Sequence, residues 1–351
     1  MTMLGVWVHD LNPIVVRLGG DFAIRWYGLA YIAGFICAYL ILRFLAKRGR
    51  LLIPHDAVPD LMLAVMVGTL VGGRLGYVLI YQPDLLMTFE KSFPWWGLLA
   101  INQGGMASHG GMIGVVIGAL LFARKYKVAG LHALDALALV APIGIFFGRL
   151  ANFVNGELLG RIVTVAPGKE LPWWAVKYPQ ELLERHSEVV SGLSVEHRDW
   201  LEGFESMYGG ASGIVREIQR GNDVVTAQIA PLLNARHPSQ LYQAFFEGLL
   251  LFVVLWFVWR RPRRMGVIAA WFLMLYGLGR VFTEFYRLPD AHLVTQRMMG
   301  LSRGQWLSAG MVVIGAVMLG VVMARKGAER VGGWGSPLPR REGGAEKTGG
   351  V

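Results

Sequence analysis

Seven long apolar runs, separated by short polar and basic stretches, set the terms on which this chain can fold. They lie near 24–45, 59–81, 104–123, 133–154, 239–259, 267–286 and 305–324. Each approaches the roughly 20 residues a helix needs to cross the hydrocarbon core of a bilayer. A chain that is 54% apolar and only 17% charged is also far from the composition of soluble domains. The expected fold is all-α: a polytopic membrane protein with seven transmembrane helices.

Basic residues follow alternate runs: Arg43, Lys47, Arg48 and Arg50 after the first, Arg124, Lys125 and Lys127 after the third. Arg260, Arg261, Arg263 and Arg264 follow the fifth, and Arg325, Lys326 and Arg330 the seventh. Lys and Arg collect in cytoplasmic loops, so the N-terminus is expected outside and the C-terminus in the cytoplasm. The same placement accounts for the net charge of +10 and argues against nucleic acid as a partner. Residues Met1 to Pro13 lack the features of a removable signal peptide. The sole cysteine, Cys37, cannot form an intrachain disulfide and reads as a packing residue. Four segments are expected: helices 1–4 over 1–156, an external periplasmic head over 157–237, helices 5–7 over 238–324, and a disordered, Gly-, Pro- and charge-rich cytoplasmic tail over 325–351. Trp173, Trp174, Tyr178 and Trp200 suit a head resting on the interface, and Trp95, Trp96 and Trp306 sit near predicted outer boundaries.

Ionisable and polar groups are expensive in hydrocarbon, so those within the runs are informative. Tyr27, Arg74, His109, Arg149, Asn152, Tyr276, Arg280 and Glu284 all fall in the outer halves of their spans. Arg149, Asn152 and Gly156 share one helix face, as do Tyr276, Arg280 and Glu284, and the two faces are expected to look at each other. Arginines at headgroup depth suit a phosphate, because a guanidinium stays protonated and makes paired hydrogen bonds; a phospholipid headgroup is the obvious anion there. Arg74 could equally snorkel or pair with another span. Glu284 reads as a neutralising partner for an arginine rather than a reacting group. The glycines at 72, 73, 104, 105, 110, 111, 144, 148, 277 and 279 are mostly packing residues, and small residues let helices approach closely.

His109 fits either a general base for a thiol or hydroxyl, or a buried structural histidine. Ser108 adjoins it, but the chain has no Gly-x-Ser-x-Gly elbow. The scattered His and Glu residues give no workable metal-ligand spacing, so no metal and no cofactor is expected. Asp60 and Asp135 fall at predicted cytoplasmic ends, which argues against an intramembrane aspartic peptidase.

The run Gly148-Arg-Leu-Ala-Asn-Phe-Val-Asn-Gly-Glu157, continuing to Gly160-Arg161, resembles the signature of the prolipoprotein diacylglyceryl transferase family. It is joined in order by Trp26-Tyr27-Gly28, Gly72-Gly73-Arg74-Leu-Gly-Tyr77, Gly105-Met-Ala-Ser-His109-Gly-Gly111, His237-Pro-Ser-Gln-Leu-Tyr242, Tyr276-Gly-Leu-Gly-Arg280 and Glu284-Phe-Tyr-Arg287-Leu-Pro-Asp290. Ordered motifs over nearly the whole span region are far more specific than one match. Ala151, where the signature usually has glycine, and the long stretch from Arg161 to His237 are the departures.

The resemblance implies an enzyme of the bacterial inner membrane, with its active site toward the periplasm. Its partners would be membrane lipid, with phosphatidylglycerol as donor, and prolipoproteins carrying a lipobox cysteine as acceptors. The product would be a thioether, with glycerol-1-phosphate released. His109 would be the base, and Arg149 and Arg280 would hold the phosphate. Tyr27, Asn152, Glu157, Gly160 and Tyr276, together with Glu284, would form the binding site. A lipid transporter or a non-catalytic assembly protein would share the topology, although the polar positions stop in the outer half and no inverted repeat is evident.

Overall fold

A computed structural model of the chain describes residues 6–19, 22–89, 94–100, 104–183, 195–288, 302–327 and 329–334. Each apolar run becomes a helix: α1 (Trp26–Lys47), α2 (Val58–Tyr81), α3 (Ser108–Lys125), α4 (Gly130–Asn155), and, after the long connection, three more. Between α4 and the fifth run lie α5 (Val195–Tyr208), α6 (Ala211–Gln219) and α7 (Asp223–Ile229). Then come α8 (Ser239–Trp259), α9 (Val267–Glu284) and α10 (Arg303–Ala324).

Among the described residues six helices, namely α1, α2, α4, α8, α9 and α10, are long and apolar enough to cross a membrane. The protein is a mostly helical, multi-pass membrane protein. The third run is helical as expected, but α3 opens on Ser108-His109 and closes on Arg124-Lys125, so polar ends take up part of its 18 residues and it is not among the six. The all-α expectation needs one amendment, since short strands form three small sheets among the described residues.

The chain divides into two compact units, one comprising 1–34, 142–251 and 275–313, the other 35–141, 252–274 and 314–351. In the first, strand β1 (Trp7–Val8) pairs in parallel with β4 (Val176–Lys177), which pairs antiparallel with β5 (Ala235–Arg236). A hairpin of β2 (Ile14–Gly19) and β3 (Phe22–Arg25) leads into α1. The long connection has a hydrophobic core of its own: Leu182, Leu201, Phe204, Ile214, Ile218, Val225, Ile229 and Leu233 are all buried together. Beneath it Arg236 and Glu181, both almost fully buried, form an ion pair, and Arg236 Nη1 also donates to the Gly160 carbonyl at 3.0 Å.

In the second unit α2 and α3 run antiparallel along a seam of glycines. A Cβ on Gly72 would overlap the Gly110 carbonyl, one on Gly76 would lie 2.8 Å from Gly110 Cα, and one on Gly68 would overlap the Gly114 carbonyl. The packing reading therefore holds for Gly72 and Gly110, where backbone meets backbone with no room for a methyl group, but not for Gly104, Gly144 and Gly148, where a Cβ would meet open space. Asp135 is buried at the start of α4. It accepts from the Gly266 and Ala269 N–H groups at 2.6 and 2.8 Å, satisfying donors that the first turn of α9 leaves open. The tail expected to be disordered from Arg325 holds structure at its start. Strand β7 (Arg330–Val331) pairs with β6 (Arg263–Arg264), and Trp334 packs against Trp256 and Trp259. These aromatic contacts bury apolar surface that the polar composition of the tail as a whole conceals. Residues 335–351 lie outside the described residues.

A valine at Gly72 forces α2 and α3 apart, so Gly72→Val should lower stability by ~1–3 kcal/mol or more. A Cβ at Gly320 meets nothing, so Gly320→Ala should leave the melting temperature in detergent unchanged, and thermal unfolding of the two variants side by side checks the contrast.

Candidate active site

The cluster that organises the first unit is built on a side chain the sequence reading passed over. Helix α8 starts as an α-helix over Ser239–Gln243, then takes π-helical form over Ala244–Leu250. Gly248 in that stretch packs so closely on α4 that a Cβ there would lie 2.8 Å from Phe146 Cα. Single π turns within α-helices re-aim side chains and recur at functional sites. Here the turn carries Glu247, wholly buried.

Glu247 collects the two arginines. Arg149 on α4 donates from Nη2 to Glu247 Oε2 at 3.1 Å, and Arg280 on α9 brings Nη1 to 3.7 Å from Oε1. Thr283, one turn beyond Arg280, donates its hydroxyl to the same Oε1 at 2.7 Å. Tyr276, on the same face of α9, interacts with Glu247, Arg149 and Arg280. The two predicted faces therefore do come together, with a buried carboxylate between them. Arg280 also pairs through Nη2 with Glu284 at 3.1 Å, Glu284 lies 3.7 Å from Arg287, and its second oxygen accepts from Ser302 at 3.2 Å. Glu284 is thus a partner of arginines, as its position on the helix suggested. Arg280 Nη1 is buried without a hydrogen-bond partner.

A second cluster sits at the C-terminal end of α4. Asn152 and Asn155 donate to the two carboxylate oxygens of Glu157 at 3.1 and 3.0 Å. Tyr27, whose hydroxyl lies 3.3 Å from that of Tyr31, interacts electrostatically with Glu157 and Arg149. The chain turns sharply after the helix: Gly156 has φ +67°, and a Cβ there would run into the Gln180 carboxamide. Gly160 lies in an extended segment between His237 and Arg287, where a Cβ would overlap the His237 carbonyl. Its role is to let backbones meet.

Groups from distant parts of the sequence buttress this turn. Gln240 donates to the Glu157 carbonyl at 2.5 Å and Ser239 to that of Leu158 at 3.0 Å. His9, fully buried, donates from Nε2 to the Phe153 carbonyl at 2.7 Å and accepts from Gln180 at 3.3 Å through Nδ1. It stacks on Tyr178. Burial holds the His9 imidazole below its ordinary pKa of 6.5, against the opposing pull of its hydrogen bond to Phe153 and of nearby Asp10.

Two of the predicted residues lie in the second unit. His109 stands in the first turn of α3 with its side chain exposed, so the alternative of a buried structural histidine does not describe it. Arg74 is buried, and its guanidinium donates to the carbonyls of Leu98 (2.8 Å), Gly104 (2.6 Å), Gly105 (3.0 Å) and Gly97 (2.5 Å). It does not snorkel, and among the described residues it pairs with no carboxylate; it holds a loop. Asp290, the last residue of the sixth motif, lies outside the described residues.

Of the residues not anticipated, Glu247 could have been found by the rule that found the arginines, since it is an acid inside an apolar run, Ala244-Phe-Phe-Glu247-Gly-Leu-Leu. Thr283 and His9 gave no such signal, because each matters through partners remote in sequence.

A family model described as prolipoprotein diacylglyceryl transferase matches residues 13–321, which takes in both clusters, Arg74 and His109. The chain belongs to this family. Proteins named phosphatidylglycerol–prolipoprotein diacylglyceryl transferase resemble it throughout. That of Bdellovibrio bacteriovorus is 47% identical over 347 residues, covering 93% of this chain and 97% of the relative. That of Burkholderia thailandensis is 37% identical, covering 92% and 98%, and that of Rhodospirillum rubrum 37% identical, covering 90% and 93%.

Replacing Glu247 by glutamine keeps the shape but leaves two partly buried guanidiniums without their common, wholly buried counter-charge. Breaking a buried pair in this way costs about 3–5 kcal/mol, so Glu247→Gln should unfold well below wild type in thermal denaturation. His9 gives a pH dependence with a definite sign. Its pKa is lower folded than unfolded, so the unfolded chain takes up the proton first. The stability it contributes is full above about pH 6.5 and declines as the pH falls below that value. His9→Gln should be less stable than wild type at neutral pH, with a smaller further loss between pH 7 and 5.

Proposed function

We propose that this chain transfers the diacylglyceryl group of phosphatidylglycerol to the cysteine thiol of a prolipoprotein, the reaction its family relatives are named for, and that Arg149 and Arg280 are the phosphate clamp. The observation that carries the clamp is the charge balance around Glu247. Within the ion-pair cluster itself Arg149, Arg280 and Arg287 bring three positive charges and Glu247 and Glu284 two negative ones, so the cluster carries one net positive charge, while Glu157 is held apart from it by Asn152 and Asn155. A phosphodiester carries one negative charge. Nη1 of Arg280, buried and without a hydrogen bond, supplies a donor for it.

The chemistry then needs a base and a leaving-group stabiliser. His109 takes the proton from the precursor thiol, because the thiolate is the competent nucleophile. Sulfur attacks the glyceryl carbon that bears the phosphate, a C–S bond forms, and the C–O bond to phosphate breaks. The electron pair leaves on the phosphate oxygen, releasing glycerol-1-phosphate. Fixed guanidiniums stabilise that charge better in a water-poor site than water would. Tyr27, Asn152, Glu157 and Tyr276 line and orient the headgroup, and Gly160 keeps the turn beneath it tight. No metal or cofactor takes part in this scheme.

Strand pairing supports the finer topology. Strand β1 precedes α1 and β4 follows α4, yet the two pair, so the chain between them makes an even number of crossings. Helices α1, α2 and α4 are three candidates, and α3, antiparallel to α2 along the glycine seam, makes the fourth. Strands β6 and β7 likewise pair across α9 and α10. This pairing supports the reading of seven spans, with residues 157–237 on the side of the N-terminus as a periplasmic head. The Arg260–Arg264 cluster and the C-terminus lie on the cytoplasmic side of the bacterial inner membrane.

The test is transfer of radiolabelled diacylglyceryl from phosphatidylglycerol to a lipobox peptide by the purified protein. Arg149→Ala and Arg280→Ala should each lower the rate by at least about 100-fold, His109→Gln should do so unless the peptide is supplied as thiolate at high pH, and a serine in place of the peptide cysteine should abolish product. A folded wild type that binds the lipid and transfers nothing would make lipid transport the better account.

A further inference from the structure

Gln243 is the one polar side chain on its helix face that the clusters above leave unused. It is wholly buried, and neither its Oε1 nor its Nε2 has a hydrogen-bond partner. Its neighbours on α8 are fully engaged. Gln240 donates to the Glu157 carbonyl and accepts from the Tyr178 hydroxyl at 3.2 Å, and Glu247 receives Arg149 and Thr283. Positions 240, 243 and 247 follow one another up a single face, so Gln243 lies between the Asn152–Glu157 turn and the guanidinium pair. A buried carboxamide with no partner is unfavourable unless a ligand supplies one.

A carboxamide offers one acceptor and a two-proton donor on a short rigid fork, and it is neutral. That complements a pair of neighbouring hydroxyls, each of which both donates and accepts. It does not suit a second phosphate, which needs donors alone, or an ammonium, which needs acceptors alone. In the proposed reaction the donor lipid carries such a pair on its headgroup glycerol, bonded to the phosphate that the arginines hold. We propose that Gln243 reads the hydroxyls of the headgroup glycerol and so sets the choice of donor lipid. The assignment rests on the transfer reaction proposed above.

Two lipids separate the terms: phosphatidylglycerol, and phosphatidylpropanol, which has the same phosphodiester and acyl chains but no headgroup hydroxyl. With a lipobox peptide as acceptor, the full-length wild type should favour phosphatidylglycerol in kcat/KM by about 100-fold, because a site built to hydrogen-bond a hydroxyl discriminates strongly against its absence. Gln243→Met, similar in volume, should bring kcat/KM for phosphatidylglycerol down to that for phosphatidylpropanol, with the latter unchanged. Turnover of phosphatidylpropanol also reports that the variant is folded. If the methionine variant does not fold, Gln243→Glu, which keeps the acceptors and loses the donor, should show a discrimination between the two extremes. An equal fall on both lipids would mean a structural role and would overturn the assignment. So would unchanged discrimination, or an effect confined to the KM of the peptide. If the wild type used neither lipid, the reaction itself would fall and the assignment with it.

Discussion

One buried carboxylate fixes the positions of the groups around it. Glu247 has no water to solvate it, and a lone carboxylate in such a place would be severely disfavoured. Arg149 and Arg280 approach it from two helices, and Thr283 donates a further hydrogen bond to it. The guanidiniums would otherwise repel one another. Around the carboxylate they are held at a spacing they could not keep alone, and Glu284 and Ser302 fix the far side of Arg280. Buried ion pairs of this kind add little net stability, since desolvation offsets attraction. In the proposed reaction what they give is preorganisation: charges already in place when negative charge develops in the ligand.

Much of this was readable from residues alone, and the reason is physical. Hydrocarbon tolerates only long apolar helices, so each run from 24–45 to 305–324 marks a helix to within a few residues of its observed ends. The penalty on polar groups in such runs picked out Arg149, Asn152, Tyr276, Arg280 and Glu284, which do gather in one unit. The faces inferred from helical spacing were right for Arg149 and Arg280, but the carboxylate between them came from a third helix. Helical spacing within two helices cannot reveal a third.

What stayed hidden depends on backbone. Arg74 looks like its fellow arginines in sequence, yet it serves four carbonyls in the loop between α2 and α3, and carbonyls carry no sequence signature. His9 is legible only once Phe153 and Gln180 are beside it. The same holds for the small sheets and for the start of the tail, where two short strands pair across two intervening helices. Long-range pairing of two-residue strands leaves no periodicity to read.

The parallel pairing of Trp7–Val8 with Val176–Lys177 also bears on how the molecule is made. A growing chain emits Trp7 long before Lys177, and helices α1 to α4 are all made in that interval. The first strand to be synthesised must therefore wait, exposed, until the fourth helix has been delivered. Only then can His9 reach the end of α4 and lock the turn that carries Asn152 and Glu157. Assembly of that turn is in this way tied to synthesis of the fourth helix: a nascent chain arrested before it has arginine-bearing segments still to come and an N-terminal strap with nothing to hold.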